Sequence, residues 1–143
     1  MKKTISVLIV MIMLTVAIPY AKADAFVSDN HYYTIELECE NIGEKSQQIY
    51  TKTLTYYSSS GQKLWEMSLR GVFIFDGISA ICIDSYVSYS VYNSQWQFVS
   101  KTQTKSGNTA SGSVTMKQVI LGITVQTITK SLTITCDEHG NIS

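Results

Sequence analysis

The side chains most able to do acid–base or metal chemistry are few and widely spaced in this sequence. The two histidines, His31 and His139, lie near opposite ends of the chain. Neither the Gly-x-Ser-x-Gly elbow of hydrolases nor the His-Glu-x-x-His pair of zinc enzymes occurs. An acid–base pair would need carboxylates such as Glu66 with Asp76 or Asp84, which read as strand and turn residues. We therefore predict no catalytic site, no metal site and no cofactor.

Aromatic side chains are better suited to binding than to catalysis. After residue 23 the chain carries eight of its nine tyrosines, both tryptophans and all four phenylalanines, more than one small core needs. Exposed rings stack on sugars and anchor protein interfaces, because they bury a large flat area at low entropy cost. Tyrosines also commonly cover sheet faces with only the hydroxyl in water. Outward parity or a place beside a turn marks Tyr32 and these candidate ligand-binding residues: Tyr50, Tyr56, Tyr57, Tyr92 and Trp96.

The first 23 residues have the parts of an export signal. Two lysines precede an apolar run from Ile5 to Ile18, and Ala21-Lys22-Ala23 forms a small-residue cleavage site. The apolar run is shorter than the roughly 20 residues that cross a bilayer, and no later segment is apolar enough to do so. We expect residues 1–23 to be removed and residues 24–143 to form a single secreted domain. Retention of the leader as an anchor is the alternative.

The three cysteines, Cys39, Cys82 and Cys136, cannot all pair within one exported molecule. Three pairings are open. We favour Cys82 with Cys136, since both lie in strong strand patterns and an unstrained bridge would close a large loop, worth about 4 kcal/mol. Glu38 and Glu40 flank Cys39 and disfavour its thiolate, so Cys39 is expected to be buried or bridged to another molecule.

The elements that must position these side chains are β-strands. The clearest runs from Leu64 to the Asp76-Gly77 turn, and it predicts a core strand that feeds a hairpin. Its buried face is expected to carry Trp65, Met67, Leu69, Gly71, Phe73 and Phe75.

Six further runs show the same period of two. They span His31–Glu40, Ile49–Tyr57, Ala80–Tyr92, Trp96–Lys105, Ser113–Ile120 and Ile123–Cys136. The first is expected to be half-buried through Tyr33, Ile35, Leu37 and Cys39. The third has apolar groups on both faces, so it is expected either to take a central position in a sheet or to contain a bulge near Asp84-Ser85. Ser106–Gly112 reads as a flexible loop. Seven strands without a helical period predict an all-β, antiparallel β-sandwich, with a small closed β-barrel as the alternative.

Charge argues against one class of partner. Without the leader, eight basic and eleven acidic residues give a net charge of about −3. A nucleic-acid binder would carry a basic patch or stripe instead. Glutamates crowd the start of the domain and lysines its second half, a distribution typical of solvated strand faces.

A set of short motifs runs through roughly the last 80 residues: Leu64-Trp65, Gly71-x-Phe73-x-Phe75-x-Gly77, the run from Tyr86 to Tyr92, Leu121-Gly122-Ile123 and Thr135-Cys136 with Gly140. In these motifs the chain resembles small exported β-rich proteins of Gram-positive bacteria. The resemblance implies an exported β domain and the bridge between Cys82 and Cys136, and it implies no activity.

A non-catalytic binding module outside the cell or at its envelope is the predicted function. Its partner is expected to be a glycan or a surface protein, with no nucleic acid and no stable membrane insertion after cleavage. The alternative is a self-associating envelope protein, because the Thr-rich last strand could be extended by another strand at its edge.

Overall fold

The computed structural model describes residues 31–42 and 46–143, so the predicted leader lies outside the described residues. Seven strands form the described chain: β1 (Tyr32–Asn41), β2 (Gln47–Tyr57), β3 (Lys63–Phe75), β4 (Ala80–Val91), β5 (Trp96–Ser106), β6 (Thr109–Ile120) and β7 (Ile123–Thr135). Nowhere in these two ranges is there a helix long and apolar enough to cross a membrane.

The strands make two antiparallel sheets. The first sheet has the order β1-β2-β3-β4 and the second the order β5-β6-β7, so the chain is two successive meanders. Residues 92–95 carry it from one sheet to the other. Side chains also join the sheets midway along β4 and β5: the Val87 N–H donates to Gln103 Oε1 at 3.0 Å, and Lys101 Nζ donates to the Val87 carbonyl at 2.8 Å. The predicted seven-stranded antiparallel sandwich is confirmed.

The core lies between the two sheets and is centred on β3, as the sequence predicts. Trp65, Met67, Leu69 and Phe73 of β3 have no exposed surface. The second sheet contributes Val114, Met116 and Ile134, which are equally buried. Gly71 has room for no side chain, because a Cβ built there would lie 2.5 Å from the Phe73 ring.

A bulge interrupts the pairing of β3 with β4. Val72 pairs with Asp84 and Phe73 with Cys82, which leaves Ile83 as the extra residue. The bulge lies next to the predicted position. It turns Cys82 into the core while Ile83 stays 38% exposed.

The predicted flexible loop from Ser106 to Gly112 is wrong. β5 continues to Ser106 and β6 begins at Thr109, so only Gly107 and Asn108 form the turn. Two backbone bonds hold this turn: the Cys82 N–H donates to the Gly107 carbonyl at 2.8 Å, and the Cys136 N–H to the Asn108 carbonyl at 3.0 Å.

The prediction that the first strand is half-buried is also wrong. β1 pairs with β2 at the edge of the four-stranded sheet, and its inward residues Ile35 and Leu37 are 47% and 49% exposed. Their parity is as predicted, but no strand of the smaller sheet covers them. Near its start, the half-buried Tyr33 does meet β7, where Lys130 Nζ lies 4.7 Å from the ring centroid.

Candidate binding surface

Three of the five predicted binding aromatics belong to the core instead. Tyr50 and Tyr56 are each 6% exposed and Trp96 is 3% exposed, so the prediction that they face outward is wrong. On β2 these tyrosines share the face of Leu54, which packs toward the second sheet. The alternation in the sequence predicts correctly which residues of a strand share a face, but it does not show which of the two faces is buried.

The buried aromatics have structural contacts. The Tyr56 ring stacks on Trp65 with centroids 5.0 Å apart and meets Trp96 edge-on at 5.7 Å. The Tyr50 hydroxyl lies beside the Gly140 carbonyl and so ties the C-terminal tail to β2. Burial, followed by the neighbouring Cys39, raises the pKa of Tyr50 to about 12.

Tyr92 is exposed and Tyr57 is half-buried, and the two come together with Tyr32, Lys63 and Glu66. We call these five residues the tyrosine surface. Strand register places them side by side: Tyr32 pairs with Tyr57, and Tyr57 pairs with Lys63. The Tyr92 N–H donates to the carbonyl of Leu64 at 2.9 Å, which brings the end of β4 alongside. The surface thus crosses the whole four-stranded sheet at one end.

A tight turn between β2 and β3 sets the position of the first two tyrosines. The Gly61 N–H donates to the Ser58 carbonyl at 3.0 Å, and Gly61 has a φ of +84°, a backbone conformation that glycine adopts freely. A Cβ built on Gly61 would lie 3.6 Å from the Tyr32 hydroxyl, so this side chain reaches over the turn. The Tyr32 and Tyr57 rings stack almost parallel, with centroids 5.0 Å apart and 11° between planes.

Charged groups border the third tyrosine. Lys63 Nζ lies 5.0 Å from the Tyr92 ring centroid and 3.4 Å from Glu66 Oε2. Glu66 raises the pKa of Lys63, and a hydrogen bond with Glu66 raises the pKa of Tyr92. The surface therefore offers aromatic ring faces, the Lys63 amino group, the Glu66 carboxyl group and tyrosine hydroxyls.

The carboxylates considered for acid–base chemistry are separated. Asp76 lies in the turn after β3, where its Oδ1 accepts the N–H groups of Ile78 and Ser79 at 2.9 and 2.8 Å. These bonds, that from Ser79 foremost, lower its pKa. Glu66 lies near the opposite end of β3, and Asp84 pairs with Val72 on β4. Within residues 31–42 and 46–143, no three His, Cys, Asp or Glu side chains group as a metal site would need.

The thiols of Cys82 and Cys136 are buried and free, so the predicted disulfide between them is not formed. Each sulfur points to a nearby carbonyl instead: Cys82 Sγ lies 3.2 Å from the Asp84 oxygen, and Cys136 Sγ lies 3.5 Å from that of Asp137. Burial raises the pKa of both thiols, to about 11 for Cys136. Cys39 is unpaired, as predicted, but it is exposed rather than buried.

A shallow cavity lies at the far end of the sandwich. Its volume is about 140 Å³, and its walls are Asn108, Thr135, Asp137, Asn141, Ile142 and Ser143. The Asp137 carboxylate is already used there, since Oδ1 accepts the N–H groups of His139 and Asn141 and Oδ2 accepts from Asn141 Nδ2. The cavity is thus part of the fold of the tail.

Comparison with known protein families, curated proteins and solved structures finds no match. The resemblance to exported Gram-positive proteins therefore stays a prediction. The site is defined by this chain's own geometry, which adds Lys63 and Glu66 to the tyrosines predicted from sequence. The turn signal at Ser58–Gly61 could have identified Lys63, because it brings that residue opposite Tyr57.

Proposed function

We propose that this chain is an exported, non-catalytic binding module that holds an oligosaccharide of the extracellular space or cell envelope on the tyrosine surface. The observation that carries the proposal is the gathering of two exposed tyrosines, the half-buried Tyr57 and one lysine–glutamate pair at one end of the four-stranded sheet. Secretion rests on the leader, with its lysines, apolar run and Ala-x-Ala site.

The chemistry of the tyrosine surface suits a sugar. The apolar face of a pyranose ring packs on an aromatic ring, and its hydroxyls need charged or polar partners at the rim. Tyr32 and Tyr57 supply a stacked pair of rings. Glu66 supplies an acceptor and Lys63 donors beside Tyr92. Because strand pairing fixes these positions, little conformational entropy is lost on binding.

The test is isothermal titration calorimetry with two probes, N-acetylglucosamine tetramer and soluble muropeptides from digested cell wall. Replacing Tyr57 or Tyr92 with serine should weaken binding about tenfold or more, as loss of an aromatic anchor does. The matched control is Tyr86→Ser. Tyr86 is 52% exposed against 50% for Tyr92, and Lys101 Nζ lies 5.0 Å from its ring centroid as Lys63 does from that of Tyr92.

The control should bind as the unmodified protein does, since Tyr86 lies in the middle of β4 opposite Arg70. Equal weakening by all three substitutions would remove the tyrosine surface from the proposal. Binding to neither probe would reject the oligosaccharide as ligand. Capture of a surface protein that depends on Tyr57 would keep the surface and replace the ligand.

The outer edge of β1 favours a second function, assembly into the envelope through strand addition. Among residues 31–42 and 46–143, β1 pairs with β2 alone, and its Ile35 and Leu37 are about half exposed, with Cys39 exposed on the same strand. An added strand would cover this edge. Sedimentation of Ile35→Lys beside the unmodified protein tests this function. A monomer at every concentration, reduced or oxidised, would reject it.

A further inference from the structure

The hairpin between β6 and β7 ends in four exposed apolar side chains, which we call the apolar tip. Leu121 is 96% exposed, Ile123 67%, Val125 54% and Ile120 38%. Scattered apolar residues are ordinary on a protein surface, but a group at one protruding point indicates a binding site.

The backbone at the tip is strained. Ile120 pairs with Ile123, so Leu121 and Gly122 alone form the turn, with φ values of +50° and +79°. Such turns favour asparagine, aspartate or glycine at the first position, because an L side chain meets the backbone there. Leu121 is the one non-glycine residue with positive φ in the described ranges. A leucine that is both strained and exposed adds no packing to the core, and this suggests that it contacts another molecule.

The tip extends from the end of the sandwich that carries the tyrosine surface. Trp96, the first residue of β5, pairs with Gln118 of β6, and the Val119 N–H donates to the Gln95 carbonyl at 2.7 Å. The β6–β7 hairpin therefore extends beyond the first residue of β5. Tyr92 precedes Gln95 in the same crossing segment.

The sheet that carries the tip has only positive charge. Residues 85–136 contain no aspartate or glutamate, and they contain Lys101, Lys105, Lys117 and Lys130. Lys117 and Lys130 lie on the two strands of the hairpin itself. All acidic side chains on the described strands belong to the first sheet: Glu36, Glu38 and Glu40 on β1, Glu66 on β3 and Asp84 on β4. Asp137 and Glu138 follow β7, in the tail at the opposite end of the sandwich from the tip.

We propose that the apolar tip inserts into the interfacial layer of an anionic lipid membrane and that Lys117, three residues before the tip on β6, attracts the headgroups. A projecting apolar point with a lysine behind it matches the layers of a bilayer surface, where acyl chains, anionic groups and water follow in order. A protein partner would need a deep pocket to cover a convex tip. Only the turn between β6 and β7 would enter the membrane, so the contact is peripheral and this hairpin does not cross the bilayer.

The test is flotation of the leader-free protein with vesicles of phosphatidylglycerol and phosphatidylcholine in equal parts, and with phosphatidylcholine alone. The protein should bind the anionic vesicles more tightly, and added salt should weaken binding. Leu121→Asn should lower the partition coefficient about tenfold, because the leucine leaves the acyl layer. Lys117→Gln should lower it on anionic vesicles only.

The design separates binding from folding. Leu121→Asn creates an Asn-Gly turn, which suits positive φ at both positions, so its melting temperature should equal or exceed that of the unmodified protein. Ile78→Asn is the matched control: Ile78 is 88% exposed in the turn between β3 and β4, at the opposite end of the sandwich. It should bind vesicles within twofold of the unmodified protein.

Failure of the unmodified protein to float with anionic vesicles would overturn the proposal, as would full binding by Leu121→Asn. So would capture of a protein through Leu121 without vesicle binding. Membrane docking does not depend on the sugar: Leu121→Asn should leave oligosaccharide binding unchanged, and Tyr57→Ser should leave flotation unchanged.

Discussion

Tyr50 and Tyr57 show how position on one strand separates a core tyrosine from one that faces away from the core. Both lie on β2, but Tyr50 points between the sheets, while Tyr57 points away from the core and stacks on Tyr32. The hydroxyl of Tyr50 lies beside the Gly140 carbonyl, so ionisation would place a negative charge in the core next to an acceptor. That cost appears as its raised pKa.

Alkaline pH should therefore destabilise the fold through Tyr50. Its pKa is about 12 in the folded protein and about 10 when unfolded. Between these values only the unfolded chain has lost the proton, so stability falls as pH rises, by up to about 2–3 kcal/mol. Tyr50→Phe should lower stability by about 1 kcal/mol at pH 8, through the lost hydrogen bond. Its stability should then fall less from pH 10 to 12. Urea unfolding across this range measures both.

Parallel pH profiles for Tyr50→Phe and the unmodified protein would contradict this role. They would mean that the phenol is hydrated in the folded state. The thiols of Cys82 and Cys136 move stability in the same direction, because burial raises the pKa of each.

β6 passes close to β4 at Gly112. A Cβ on Gly112 would lie 2.2 Å from Val87 Cγ2 and 3.1 Å from the Thr102 carbonyl oxygen. Gly112, one of the small residues that make Ser106–Gly112 look like a loop, is thus a core position where two elements need room. Ala110, with no exposed surface, is another.

Gly112→Ala should accordingly destabilise the sandwich by about 1–3 kcal/mol, the usual cost of overpacking a close contact. Chemical denaturation measures the loss. Ser131→Ala is the control, because Ser131 is exposed on the neighbouring strand, and its effect should stay within about 0.5 kcal/mol. A Gly112→Ala variant as stable as this control would show that β4 and β6 are farther apart than described.

Strand periodicity was sufficient to predict most of the elements, and the errors have two physical sources. Alternation assigned the buried face of β3 correctly, because large apolar residues leave one choice of interior there. On β2 both faces carry tyrosines, so the pattern does not identify the buried face, and it predicts Tyr50 and Tyr56 on the solvent face. For β1 the pattern could not show that Ile35 and Leu37 stay exposed, because their burial depends on whether the second sheet has a strand to pack over them. The convergence of Lys63 with Tyr92 depends on register, which a single strand does not encode.

At the scale of the molecule, the two sheets differ in charge and in what they expose. The first carries the glutamates of β1 and the tyrosine surface, and the second carries lysines, hydroxyls and the apolar tip. Both proposed contacts lie at one end of the sandwich. The C-terminal tail covers the other end, through the contact with Tyr50 and an antiparallel backbone pairing of Cys136 with Ile142. If both proposals hold, the protein would bind a sugar on the tyrosine surface close to the membrane that the apolar tip contacts.

The thiols give a test of the whole fold. Native protein should react with Ellman's reagent at one thiol, Cys39, because Cys82 and Cys136 are buried with raised pKa values. Unfolding in guanidinium without reductant should expose three. A count of one under both conditions would mean that Cys82 and Cys136 are joined, contrary to the structure.

The most direct test of the binding proposal is the map of amide and aromatic chemical-shift changes when N-acetylglucosamine tetramer or muropeptides are added to isotope-labelled, leader-free protein. Tyrosine and backbone signals are needed because both tryptophans are buried and would report binding weakly. The account predicts saturable shifts confined to Tyr32, Tyr57, Lys63, Glu66 and Tyr92, with the tail near Gly140 unchanged. Absence of shifts at saturating sugar, or shifts centred on the opposite end of the sandwich, would contradict it.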